Sequence, residues 1–193
     1  GWPSKVGTNA YARHRRNLQL IGLHDSERRW VLKNPSHLFA LEDLLTVYPD
    51  ALVIQTHREA RTIMPSTCSL AEHATAGWST KFTGSVIGRT QLDLWERGLH
   101  TFAAARAEAN PAQFFDVDYH EFVADPLGTV EQVYRHFGLG MSEDARLAMD
   151  AIDAESRTGA RRPSHKYTLE EFGLDGDEVD RRFGEQRRSG EHR

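Results

Sequence analysis

The stretch from Trp30 to Ser69, WVLKNPSHLFALEDLLTVYPDALVIQTHREARTIMPSTCS, constrains the fold more than any other part of the chain. Two short apolar runs, Trp30–Leu32 and Ala51–Ile54, each end in polar residues. The first is followed by Lys33 to His37, the second by His57 and Arg58. An amphipathic segment separates the runs and another follows, as strands joined by helices would require. Strands joined in this way run parallel, because a right-handed crossover returns the chain to the same edge. Ligands of open parallel sheets gather at the carboxyl ends of the strands. The pattern therefore delivers cationic and imidazole side chains to one sheet edge, where an anion would sit.

The rest of the chain fits around this unit. Residues 1–9 read as an irregular lead-in, and Ala10–Leu23 as an amphipathic helix marked by Tyr11, Leu18 and Ile21. Arg29–Lys33 reads as a short buried strand stopped by Pro35, with Ser36 as the N-cap of a helix ending before Pro49. Asp50–Thr56 is the second predicted strand and Phe114–Tyr119 the third. Glu59–Ala76 is predicted helical despite Pro65, and Val86–Ala109 forms the longest helix candidate. Further helices are expected over Leu127–Phe137, opened by Asp125-Pro126, and over Ser142–Ser156. Short helical turns follow over Thr168–Phe183, and residues 184–193 read as a mobile tail. One α/β domain over 10–183 is expected, with few strands for a sheet of this kind.

Charge narrows the partners. The 28 acidic residues outnumber the 24 basic ones, giving a net charge of −4. No cationic excess exists to neutralise a phosphate backbone, which argues against nucleic acid as a partner. The single cysteine, Cys68, excludes an internal disulfide framework. No apolar run is long enough to span a bilayer, and no leader pattern opens the chain, so a cytoplasmic protein is expected. The oligomeric state is not legible.

Four groups of residues carry candidate chemistry. Arg58 ends a strand and Ser66 lies eight residues on, about two helical turns later. A guanidinium and a hydroxyl so placed suit a phosphate gripped from two sides, and equally a surface arginine with a serine beside a proline kink. Lys33 suits neutralisation of a leaving oxygen and His37 uptake of a hydroxyl proton; a snorkelling lysine and a histidine bonded near a helix start are the plainer alternatives. Tyr119 suits stacking on a base or simple packing. The loop Arg161, Arg162, Ser164, His165, Lys166, Tyr167 is the densest basic cluster, suited to an anion clamp or to solvent. Absent are GxxxxGK[ST], GxGxxG after a strand, HExxH and paired-cysteine spacings.

Taken in order, WVLKNPSH, VIQTHREARTIMPSTCSL, DVDYHEFVADPLGTVEQVYRHFGL and HKYTLEEFGLD resemble the PAPS-dependent sulfotransferases, in particular their large bacterial branch. The resemblance covers roughly residues 10 to 183. It implies a three-layer α/β/α fold like that of nucleotide kinases. It also implies the cosubstrate 3′-phosphoadenosine 5′-phosphosulfate (PAPS), a small-molecule or carbohydrate acceptor, and no metal. Arg58 and Ser66 match the residues that hold the 3′-phosphate, and Tyr119 falls near the adenine. Arg161, Arg162 and Lys166 fall where a basic loop closes over the 3′-phosphate. Lys33 and His37 lie near the active-site lysine and histidine, and loop 79–90 is a candidate for the acceptor pocket. The usual PxxSGTT-like cradle for the 5′-phosphosulfate has no counterpart beyond Pro3-Ser4-Lys5-Val6-Gly7-Thr8. The sequence is thus expected to be the C-terminal portion of such a domain. A catalytically inert binding module built on the same fold is the alternative; a kinase is a weaker one, lacking its GK[ST] signature.

Overall fold

The computed structural model describes residues 4–25, 29–157 and 167–190. Two strands occur among them, β1 (Val53–His57) and β2 (Phe114–Asp118). They pair in parallel, with Val53 opposite Phe114 and His57 opposite Asp118. Parallel neighbours need a long crossover. Helices α3 (Ala60–Thr75) and α4 (Gly84–Glu108) supply it, giving a mostly helical α/β fold with a short parallel sheet.

The first of the three expected strands, Arg29–Lys33, does not form. Arg29–Lys33 has no ladder partner among the described residues, and Trp30, Val31 and Leu32 are 48%, 91% and 43% exposed. A strand is defined by its neighbour. An apolar run without one has nothing to pair its N–H and C=O groups, and it stays extended coil.

The chain divides into two compact units, Gly1–Ala51 with Arg97–Gln113, and Leu52–Glu96 with Phe114–Arg193. In the first, α1 (Ser4–Ile21) begins well before Ala10, so residues 4–9 form helix instead of the irregular lead-in expected. Gly7 lies in its first turns because a β-carbon there would collide with the Asp43 carboxylate, which accepts a hydrogen bond from the neighbouring Thr8 hydroxyl. A 3-10 turn, Pro35–Phe39, precedes α2 (Leu41–Val47). Its cap is Asn34 rather than Ser36: the Asn34 side chain accepts from the Ser36 N–H at 3.0 Å. Proline at the first position leaves that donor two residues downstream of Asn34, as in an Asx turn. Leu41 and Phe102 are buried here, and the Gln113 side-chain amide donates to the carbonyls of Pro49 and Ala51, both at 2.9 Å.

The second unit holds the sheet and the larger core. Met64, Cys68, Ile87, Leu92, Leu169, Phe172, Leu174 and Val179 form one buried cluster. α3 runs on through Pro65, which is buried in the helix face that meets this core. Burial pushes the Cys68 thiol up to about 11, so it behaves as a small apolar group. The chain continues as α5 (Tyr119–Ala124), α6 (Pro126–His136), α7 (Glu143–Arg157) and, after a 3-10 turn at Glu170–Phe172, α8 (Gly176–Gly190). Gly173 closes that turn at φ +61°, a conformation that strains other residues. α8 is tied down by ion pairs. Arg61 donates to Asp177 and Asp180, each at 2.7 Å, and Arg182 bonds Asp93 and Glu96 of α4.

α6 shows its start signal directly. Asp125 accepts from the Gly128 N–H at 3.0 Å, and Pro126 fills the first helical position. Asp125→Ala removes that acceptor. It is expected to lower unfolding stability by about 1 kcal/mol in denaturant titration.

Candidate functional site

Because β1 and β2 are parallel, their carboxyl ends lie at the same edge, and the residues that leave them face one another. Three successive contacts join the two exits. His57 Nε2 donates to Asp116 Oδ1 at 2.6 Å, the Arg58 guanidinium carbon stands 4.0 Å from the centre of the Tyr119 ring, and His120 Nε2 donates to Glu59 Oε1 at 2.7 Å. The middle contact is a cation stacked on an aromatic face. Arg58 is exposed and Tyr119 half-buried. The planar guanidinium is held by its face, which leaves the N–H edge for a ligand. Asp118 fixes Tyr119 at the head of α5 by accepting from the His120 and Glu121 N–H groups at 2.8 and 3.3 Å.

Ser66 stands on the exposed face of α3, with Thr62 and Ile63, opposite the face that buries Met64 and Cys68. Arg58 leaves β1 just before that helix begins. The structure thus brings Arg58 and Tyr119 into contact and places Ser66 further along the helix that Arg58 leads into. Arg161, Arg162 and Lys166 lie outside the described residues.

Lys33 and His37 belong to the other compact unit. Lys33 is exposed, at the end of the extended segment that precedes the Asn34 cap. His37 is half-buried, with Nδ1 2.7 Å from Tyr11 Oη and the two rings 5.7 Å apart. A parallel pair lies beside it: His14 Nδ1 is 2.7 Å from Tyr48 Oη. The Tyr11 and Tyr48 rings meet edge to face at 6.4 Å. Burial, and secondarily the proximity of His14, hold the His37 imidazole below the ordinary histidine range. It therefore stays neutral at pH values where a free histidine takes up a proton. Burial pushes the Tyr11 hydroxyl up to about 12, with the Asp43 charge and Tyr48 adding to the effect.

Tyr11, His14 and Tyr48 were not foreseen as site residues, since Tyr11 reads in the sequence as one more apolar position on a helix. The signal was the Tyr11-x-x-His14 spacing, which puts a phenol and an imidazole on one helix face. Among the described residues, no group of three or more His, Cys, Asp and Glu is arranged to hold a metal ion. No described helix is long and apolar enough to cross a membrane.

A family model described as the sulfotransferase family matches residues 7–143. The chain belongs to the sulfotransferase family. This sulfotransferase-family chain is 57% identical to the crystal structure of sulfotransferase STF1 from Mycobacterium tuberculosis, with a TM-score of 0.81 over 92% of this chain and 45% of that one. It shares the fold of sulfotransferase STF9 from Mycobacterium avium, at 24% identity and a TM-score of 0.71 over 83% of this chain and 41% of that one. It is also 28% identical, over 163 residues, to the omega-hydroxy-beta-dihydromenaquinone-9 sulfotransferase Stf3 of Mycobacterium bovis. That match takes in 80% of this chain and 39% of Stf3, so the chain spans well under half the length of the relatives it matches. The mostly helical α/β architecture is the sulfotransferase fold.

Proposed function

We propose that this chain supplies the 3′-phosphate-binding and acceptor-activating portion of a sulfotransferase. The enzyme would transfer a sulfuryl group from PAPS to a hydroxyl of a small-molecule acceptor. The stack of Arg58 on Tyr119 at the carboxyl edge of the sheet carries the reading. Its donor set fits a 3′-phosphorylated adenosine: a guanidinium whose N–H edge has no partner among the described residues suits a dianion, and a serine hydroxyl and an aromatic ring stand on the neighbouring elements. The kinship with Stf3, whose name gives it a hydroxylated menaquinone to act on, supports a hydroxyl acceptor.

The nucleotide supplies an activated sulfuryl group with a phosphate as its leaving group. Arg58 and Ser66 would bind the 3′-phosphate and so set the position of the sulfur, in the way that positioning governs phosphoryl transfer. The acceptor oxygen forms the new bond to sulfur as the bond from sulfur to the phosphate oxygen breaks. His37 would take the acceptor's proton, a task for which a neutral imidazole is required. Lys33 would balance the charge that gathers on the departing oxygen.

Isothermal titration of the chain with 3′-phosphoadenosine 5′-phosphate, against adenosine 5′-monophosphate, tests the reading. Tighter binding of the doubly phosphorylated nucleotide is expected. Equal affinity for the two would overturn it.

A further inference from the structure

Thr8, Tyr11 and His14 follow one another at three-residue spacing along one face of α1. Each meets a different group. Thr8 donates to Asp43, Tyr11 Oη meets His37 Nδ1, and His14 Nδ1 meets Tyr48 Oη. The proposed chemistry uses only His37 of these. The bond made by one ring nitrogen of a histidine decides the protonation of the other. A base acting through Nε2 must carry its hydrogen on Nδ1, and that hydrogen needs an acceptor.

Tyr11 Oη, 2.7 Å from Nδ1, is the group placed to accept it. His14 and Tyr48 complete the ring cluster on this side. The geometry points to Tyr11 as the positioning residue of His37: its oxygen accepts Nδ1–H and holds the ring in the tautomer whose Nε2 is open to a hydroxyl proton. The inference rests on the base role given to His37 above.

The tautomer can be read in the chain as it stands, without nucleotide or turnover. Long-range proton–nitrogen correlation spectra of protein labelled on histidine distinguish the two neutral forms, with His37→Ala identifying the signal. At neutral pH, His37 is expected to show the Nδ1-protonated pattern. Tyr11→Phe keeps the ring and removes the oxygen, and it should shift His37 toward the Nε2-protonated pattern. Tyr48→Phe should change the His14 signal and leave His37 as it was. An Nε2-protonated His37 in the unaltered chain overturns the inference, as does an unchanged pattern in Tyr11→Phe or an equal shift in Tyr48→Phe. Should Tyr11→Phe fail to fold, the spectrum of the unaltered chain still decides. Nucleotide titration tests the sulfotransferase reading separately, so the two can fail independently.

Discussion

Replacing Arg58 by alanine is expected to weaken binding of 3′-phosphoadenosine 5′-phosphate by about 1.5–3 kcal/mol, the range for a hydrogen bond to a charged group. In calorimetry this is roughly a ten- to hundred-fold rise in Kd. The loss should be specific: adenosine 5′-monophosphate, which lacks the 3′-phosphate, should lose far less. The fold should survive, because Arg58 is exposed and, among the described residues, its side chain stacks on Tyr119 alone. Arg58→Lys should recover only part of the affinity. An ammonium keeps the charge but neither forks onto two phosphate oxygens nor lies flat on the ring. Unchanged affinity in Arg58→Ala would remove the phosphate site from this sheet edge.

The largest stability effect is expected in the second unit's core. Ile87 is fully buried, in the cluster formed by Met64, Cys68, Leu92, Phe172, Leu174 and Val179. Ile87→Ala removes packed methyl and methylene groups and leaves a cavity that the surrounding helices fill only in part. The expected cost is about 2–5 kcal/mol, read as a fall in the denaturant midpoint at unchanged slope. The adjacent Gly88 explains why the helix sits so close. A β-carbon there would collide with the carbonyl oxygen of Phe172. α4 therefore cannot slide inward to refill the space without driving its own backbone against that turn. A loss under about 0.5 kcal/mol in Ile87→Ala, the scale of surface substitutions, would show that the cluster is not close-packed.

Much of this was legible beforehand. Asp50–Thr56 stands out as a strand because an apolar run is followed at once by polar residues and a helix start, and β1 forms there over Val53–His57. Asp125-Pro126 marked the head of α6, and the same local chemistry appears there in the structure. Arg58 was legible as a strand-end cation for the same reason. The Tyr119 ring beneath it was not, because the two residues lie far apart in sequence and only the pairing of β1 with β2 brings them together. The surroundings of His37 were hidden likewise: Tyr11 and His14 stand on a helix distant from it in sequence, and only packing brings them to it. Trp30–Leu32 failed as a strand because its own residues cannot supply a neighbour.

The amino-acid order alone determined where β1, β2 and most helices form, and which residues stand at their ends, since caps, prolines and apolar periodicity act within a few residues. It also determined that the chain belongs among sulfotransferases. Tertiary structure decided which of those residues meet: the Arg58 stack, the His37–Tyr11 pair, and the exposure of Trp30–Leu32. Such contacts depend on elements distant in sequence finding one register and one packing arrangement. Local physics does not reach that far.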